Sequence, residues 1–256
     1  MAVKLEHLYK ANSLFHGWKD TSIYSCLQGI MGSIYVDNSE EPVSAMAVLG
    51  DFCFMTGKPN KDLVLFEPLE VKPEFMIAIP KTKTWGDLIE NTYGQRANKI
   101  VRYAIKKDQH QFDIPKLRQA VLSLKDGFSL EEMNEENYEL CKSLEWSFAM
   151  VSQYETYDKY QQLGLGYVIK RGDLIVAGAS SYSTYLDGIE IEIDTHEDYR
   201  RNGFAYVCAA RLLLECFTKN KYPSWDAHNE ISVALAQKLG YIFDHEYDAY
   251  EIYLGS

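Results

Sequence analysis

The sequence predicts an α+β fold in two parts, an α/β sandwich. Three observations carry this. Short β-type alternations and helical patterns interleave along all 256 residues, which excludes an all-helical or all-β architecture. After residue 126 they follow a clear order: helix, helix, strand, turn, strand, strand, helix, strand, helix, strand. Charge also divides the chain. Residues 1–125 hold 16 Lys/Arg and 14 Asp/Glu, whereas 126–256 hold 10 and 23, so the net charge of −11 resides in the second part. The expected domains are a smaller α+β domain over 1–125 and a second domain over 126–256.

The first part opens with a short helical pattern at Leu5, Leu8 and Tyr9. Two β-rich runs, Gly32–Val36 and Val43–Phe54, flank the turn-rich Asp37–Pro42, which predicts a hairpin. Leu63–Phe66 and Phe75–Ile79 continue as β-type runs, and Pro80 ends the second. A short helix is expected over Trp85–Tyr93 and a strand over Lys99–Ile105, while Ile114–Leu124 fits a helix or an extended connection. In the second part Ser129-Leu-Glu-Glu132 has the form of a capping box ahead of an acid-rich helix over 134–146. Strands over Gly166–Lys170 and Leu174–Tyr185 flank the turn Arg171-Gly-Asp173. Ile189–Thr195 alternates strictly, with isoleucines at 189, 191 and 193 and acids at 190, 192 and 194. An apolar helix spans about Gly203–Lys219, a short strand Pro223–Ala227, and a helix Ile231–Leu239 that Gly240 stops; the rest is β-rich.

Composition excludes several function classes. A net charge of −11 disfavours nucleic acid and anionic membrane as partners. The N-terminal run through Val3, Lys4, Leu5 and Glu6 lacks a signal-peptide core, and no early apolar run spans a bilayer, so a cytoplasmic protein is expected. The five cysteines (26, 53, 141, 208, 216) show no CxxC spacing and read as buried apolar side chains in a reducing compartment. No His/Cys/acid spacing suggests a metal, and no G-x-S-x-G nucleophile motif occurs.

The informative segment is Ile191–Ala205, where a strand ends, the chain turns through charged residues and a helix begins at Gly203. Glycine lets backbone N–H groups approach an anion, and a helix start adds partial positive charge. Arg200 and Arg201 add counter-charge. The same pattern also fits a plain helix start with surface arginines.

Arg200-x-x-Gly203-x-Ala205 resembles the acyl-CoA signature of the GNAT N-acetyltransferase superfamily. Trp225-Asp-Ala-His-Asn229, Ser232 and Lys238-Leu-Gly-Tyr241 resemble the family's fifth strand and following helix. Tyr222–Asp226, Ala234–Tyr241, Leu27–Gly29 and Gly50–Phe54 look like a bacterial branch that includes zwittermicin A resistance acetyltransferases. The resemblance implies a GNAT-type fold over 126–256, built on mixed, mostly antiparallel sheet, with a bulge splaying the fourth strand from the fifth. It also implies acetyl transfer from acetyl-CoA (coenzyme A) to an amine by direct attack in a ternary complex. The implied cofactor-binding residues are Thr195, Arg200, Arg201, Asn202, Gly203, Phe204, Ala205, Asn229 and Ser232.

For the proton acceptor the choice falls on Glu192, with His228 as a second catalytic candidate; His196 is either a base or a turn residue. Glu190 and Asp194 would favour a cationic substrate, although the three acids also fit a solvated strand face. One departure stands out. Seven residues after Asn229 the family often has a tyrosine as general acid, and here Ala236 stands there. Tyr154, Tyr157 and Tyr160 either line the acceptor site or pack a helix face.

The first part echoes the element order of the second without its glycine turn, which fits a degenerate half-repeat with no CoA site of its own or an unrelated α+β cap. The expected function is N-acetylation of a small-molecule amine, alone or as a homodimer, with no metal. A non-catalytic acyl-CoA sensor and a protein N-acetyltransferase are the alternatives.

Overall fold

Short polar side chains start most of the helices. A computed structural model describes residues 2–68, 75–108 and 112–254. The first elements are β1 (Val3–Lys4), α1 (Thr21–Gln28), β2 (Ser33–Val36), β3 (Ser44–Leu49) and β4 (Phe52–Gly57). Then come α2 (Lys61–Val64), β5 (Phe75–Pro80), α3 (Lys83–Tyr93), β6 (Ala97–Ile105) and α4 (Ile114–Leu122). The chain continues through β7 (Ser129–Glu132), α5 (Glu135–Ser143), α6 (Tyr157–Leu163), β8 (Gly166–Arg171), β9 (Leu174–Tyr185) and β10 (Gly188–Thr195). It closes with α7 (Phe204–Thr218), β11 (Tyr222–Ser224), β12 (Asp226–Ala227), α8 (Glu230–Leu239) and β13 (Phe243–Tyr253). Side-chain oxygens of Asp20, Asn60, Asp113, Asn134, Thr156 and Asn229 cap six of the eight helices by accepting first-turn N–H bonds.

Contacts divide the chain into two units, 1–102 with 246–256, and 103–245. The charge step at residue 125 falls inside the second unit, between α4 and β7. In the first unit β1, β2, β3 and β4 form an antiparallel meander, and β4 pairs parallel with β5. The hairpin around 37–42 is present as β2 and β3. The β-rich run over 43–54 is two strands rather than one, because the chain reverses at Gly50, which holds φ +57°. The run beginning at Leu63 is a helical turn, not a strand: Asn60 caps it, and Leu63 and Val64 are buried. Its core centres on Trp85, fully buried, with Nε1–H donating to Gly57 C=O at 3.0 Å. Truncating a core side chain of this size costs about 3–5 kcal/mol.

In the second unit the sheet runs β11-β10-β9-β8-β7, antiparallel except for the β10–β11 pair. Ser129–Glu132 is a strand paired with Tyr167–Lys170, not a helix start; the cap of the next helix is Asn134. The ambiguous 114–124 segment is helix α4, capped by Asp113. It packs along α7, with Leu117 and Ala120 buried. Helix α7 covers one face of β8, β9 and β10, where Ile189 and Ile191 join Val207 and Ala210 in the core. The 3-10 turn Phe148–Met150 covers the other face of β9 and β10. Gly178 admits it: a Cβ there would stand 2.6 Å from Met150 Sδ.

Each unit is completed by a strand from the other part of the sequence. The end of β6 lies in the second unit, where Tyr103 and Ala104 pair with Ala227 and Asp226. The end of β13 lies in the first, where Tyr250–Tyr253 pair with Phe75–Ala78. All five cysteines are buried thiols outside any disulfide, and burial pushes the Cys141 and Cys216 thiols up to about 12. Among the described residues no helix is long and apolar enough to cross a membrane.

Candidate active site

Strand β10 has one fully paired edge and one that opens. Against β9 it pairs along its whole length, with a single step: the register passes from Glu190↔Ser183 to Ile191↔Ser181, leaving Tyr182 as an extra residue. Against β11 it pairs only through Gly188↔Tyr222, Ile189↔Pro223 and Glu190↔Ser224. After Trp225 the chain leaves this sheet, and Asp226 and Ala227 pair with β6. From Ile191 to Thr195, β10 therefore has no strand on its β11 side among the described residues. Main-chain groups on such an edge can pair with an extended, amide-bearing ligand.

The open edge leads into the turn ahead of α7. Arg201 (φ +61°) and Gly203 (φ +83°) both adopt the left-handed conformation. No side chain caps α7, and its first backbone bond is Val207 N–H to Gly203 C=O at 3.2 Å. The N–H groups of Phe204, Ala205 and Tyr206 precede that bond and have no helical acceptor. A Cβ placed on Gly203 meets no atom within 4 Å, so the space beside that residue is open. Such an arrangement suits an anion. The turn is braced from within: Arg200 Nε–H donates to Thr195 C=O (3.4 Å), and Asn202 Nδ2 donates to the carbonyls of Tyr199 (3.1 Å) and Arg200 (3.3 Å). Lys125 donates to Asn202 Oδ1 at 2.7 Å. Phe128 packs on Phe204 and Tyr199, at 4.5 and 6.2 Å between ring centres.

The acids of β10 share the face opposite α7. Glu192 stands across from Ser180, itself across from Gly166; Tyr160 Oη meets Ser180 Oγ at 2.7 Å in the space that glycine leaves. Asp194 stands across from Gly178 in the apolar row that carries Val168 and Met150. The two rows differ in polarity. Burial pushes the Asp194 carboxyl up to about 6, against the opposing pull of Arg200.

The remaining sequence candidates have local partners. His196 Nδ1 accepts from Asp198 N–H at 3.3 Å, and its ring packs edge-on against Trp146 and Tyr199. Asn229 Oδ1 accepts from Ser232 N–H at 2.9 Å, and Asn229 Nδ2 lies 3.1 Å from Nδ1 of the exposed His228. Ser232 Oγ accepts from Trp225 Nε1–H at 3.0 Å. The Asn229 and Ser232 side chains are thus engaged at the start of α8, and Ala236 is buried in the core. Tyr154 and Tyr160 are buried with their hydroxyls on Ser181 and Ser180, and burial pushes the Tyr154 phenol up to about 12. Lys125 and Trp146 are contacts that the sequence reading missed. Neither lies near the signature in sequence.

A family model described as GNAT acetyltransferase matches residues 12–250. The chain belongs to this family. It is 43% identical to a GCN5-related N-acetyltransferase-like protein from Streptococcus suis 89/1591, whose crystal structure superposes with a TM-score of 0.90 over 96% of this chain and 98% of that one. An uncharacterized N-acetyltransferase of Bacillus subtilis, YdfB, is 27% identical over 90% of this chain and 89% of its own. A tandem GNAT protein from the clavulanic acid biosynthesis pathway shares the fold at 10% identity, with a TM-score of 0.61 over 100% of this chain and 99% of that one. The chain is accordingly an acyltransferase. GNAT enzymes generally take acetyl-CoA as acetyl donor. The open edge and the uncapped turn fit such a donor: one suits its amide-bearing arm, the other its pyrophosphate.

Proposed function

We propose that this GNAT enzyme is an N-acetyltransferase that uses acetyl-CoA to acetylate a primary amine of a small cationic molecule within a ternary complex. The carrying observation is the parting of β10 from β11 after Glu190, next to the uncapped start of α7. Bound acetyl-CoA supplies an activated acetyl thioester. The amides of 203–206, with Arg200 and Arg201, hold its pyrophosphate, and the Ile191–Thr195 edge aligns its arm. Glu190 and Asp194 draw the ammonium of the acceptor to the strand. Glu192 takes the proton that the nitrogen must shed to become nucleophilic. His228 is a secondary acceptor at the start of α8. The resemblance to zwittermicin A resistance acetyltransferases supports a small amine over a protein. The matching element order of the two units supports reading the first half as a degenerate copy without a donor site.

The test combines donor binding with turnover. Acetyl-CoA should raise the melting temperature and slow amide exchange over 191–206 without protecting 52–57. Thiol release across a panel of primary amines should identify an acceptor. Glu192→Gln should then lower kcat about 100-fold while leaving donor affinity unchanged. Donor binding with no thiol release for any amine would sink the catalytic assignment. No binding at all would sink the donor assignment.

A further inference from the structure

The geometry points to Lys125 as a ligand for the pyrophosphate of the donor, reaching the turn from a segment outside the glycine signature. This rests on the donor reading above. Its Nζ lies 2.7 Å from Asn202 Oδ1 and 6.0 Å from the ring centre of Phe204, the first residue of α7. Asn202 is itself fixed, because its Nδ2 donates to two carbonyls inside the turn. One hydrogen bond thus ties the exposed lysine to the turn that carries the open donors. Helix α4 delivers it: Leu117 and Ala120 are buried against the core that α7 shares, and Lys125 follows three residues after the helix ends.

Lys125, like Lys142, Lys221 and Lys238, has neutral partners, but it alone of these four touches the turn ahead of α7. Lys170 lies 3.7 Å from both Glu131 and Glu136, and Arg211 and Lys219 both pair with Glu215. Lys125 makes no ion pair among the described residues; its recorded acceptor is a neutral amide. An ammonium has three donors, and one is used here. Beside the unpaired N–H groups of α7, the ammonium can give its remaining donors to phosphate oxygens.

Binding of acetyl-CoA and dephospho-CoA, measured by calorimetry on the full chain, tests this. Lys125→Met should weaken both ligands about tenfold, a factor typical of one charge-assisted contact. Lys125→Arg should stay within about threefold of the parent. Lys125→Gln keeps a donor for Asn202 without the charge and should bind as weakly as Lys125→Met. Parental affinity in Lys125→Gln would make the lysine a brace for Asn202 and overturn the proposal. A loss seen for acetyl-CoA but not for dephospho-CoA would overturn it too, by moving the contact to the ribose phosphate. If the parent protein binds neither ligand, the donor reading fails instead. Melting temperatures of the ligand-free variants within about 2 °C of the parent keep the comparison clear of misfolding.

Discussion

Strands β4 and β10 occupy the same place in two successive meanders, yet only β10 leaves an edge open. The β4–β5 ladder runs unbroken from Phe52↔Ile77 to Met55↔Pro80, and Ile77 N–H to Asp51 C=O (2.7 Å) and Lys81 N–H to Met55 C=O (2.9 Å) extend it at both ends. The β3–β4 register has no step. The helix between β4 and β5 is four residues long and capped by Asn60. Between β10 and β11 there are three paired positions and a 15-residue helix without a side-chain cap, while on its other edge β10 steps past Tyr182 of β9. Order of elements is thus compatible with either outcome, and the donor slot arises where pairing stops. An unmet buried main-chain group costs about 1–3 kcal/mol, so the paired edge favours stability and the open one favours a ligand.

The comparison breaks most severely if one half is taken alone. Residues 126–256 lack α4, which packs on α7, and lack Tyr103 and Ala104, which pair with β12. The same fragment strips Tyr250–Tyr253 of their partners on β5. Expressed by itself, it should be insoluble or melt without a cooperative transition, whereas the full chain should melt cooperatively. A soluble 126–256 fragment with a sharp calorimetric transition and bound acetyl-CoA would show that the open-edged half folds without the exchanged strands.

That outcome also bears on what the sequence displays. The charge step looked like a domain boundary because residues 103–125 are basic and 246–256 acidic. Assigned by contacts, the first unit carries 11 Lys/Arg and 15 Asp/Glu, the second 15 and 22, so the sharp contrast dissolves. Charge reports solvated surface, whereas units follow packing between residues far apart in sequence. Patterns with local causes were legible: the isoleucine–acid alternation of β10, the apolar run of α7, the Gly240 stop of α8 with φ +113°. Ser129–Glu132 misled because a capping-box spacing is local, while its strand state depends on pairing with Tyr167–Lys170 nearly forty residues on. The glycine turn and the helix start at Gly203 were legible as local backbone features. Lys125 was not, since its bond to Asn202 spans 77 positions.

A smaller effect separates the two acid rows of β10. Asp194 ionises at about 6 rather than its ordinary 3.8 because burial disfavours the carboxylate. Below pH 4 the group is protonated folded and unfolded, and it costs nothing. As pH rises to 6 the unfolded chain ionises first, so stability falls, and the penalty is complete above 6. A shift of this size corresponds to about 2–3 kcal/mol. Asp194→Asn should therefore raise the melting temperature at pH 8, leave it unchanged at pH 3.5, and raise KM for a cationic amine. An equal melting temperature for both proteins at pH 8 would mean that water reaches the carboxyl freely.

The smallest effect lies in the turn itself, where Arg201 holds φ +61° despite carrying a side chain. The same left-handed region is occupied by glycine at Gly57, where a Cβ would collide with Val43 C=O; there glycine is obligatory. At Arg201 the conformation costs about 1 kcal/mol. Arg201→Gly relieves that strain, but the greater freedom of glycine in the unfolded chain takes back about half. The ligand-free variant should melt about 1–2 °C higher by calorimetry. Its affinity for acetyl-CoA should fall, because the cation beside the open donors is lost. A lower melting temperature would show that the arginine side chain stabilises the turn by more than its backbone strain costs, and the turn would then be folded by its own contacts rather than held open for a phosphate.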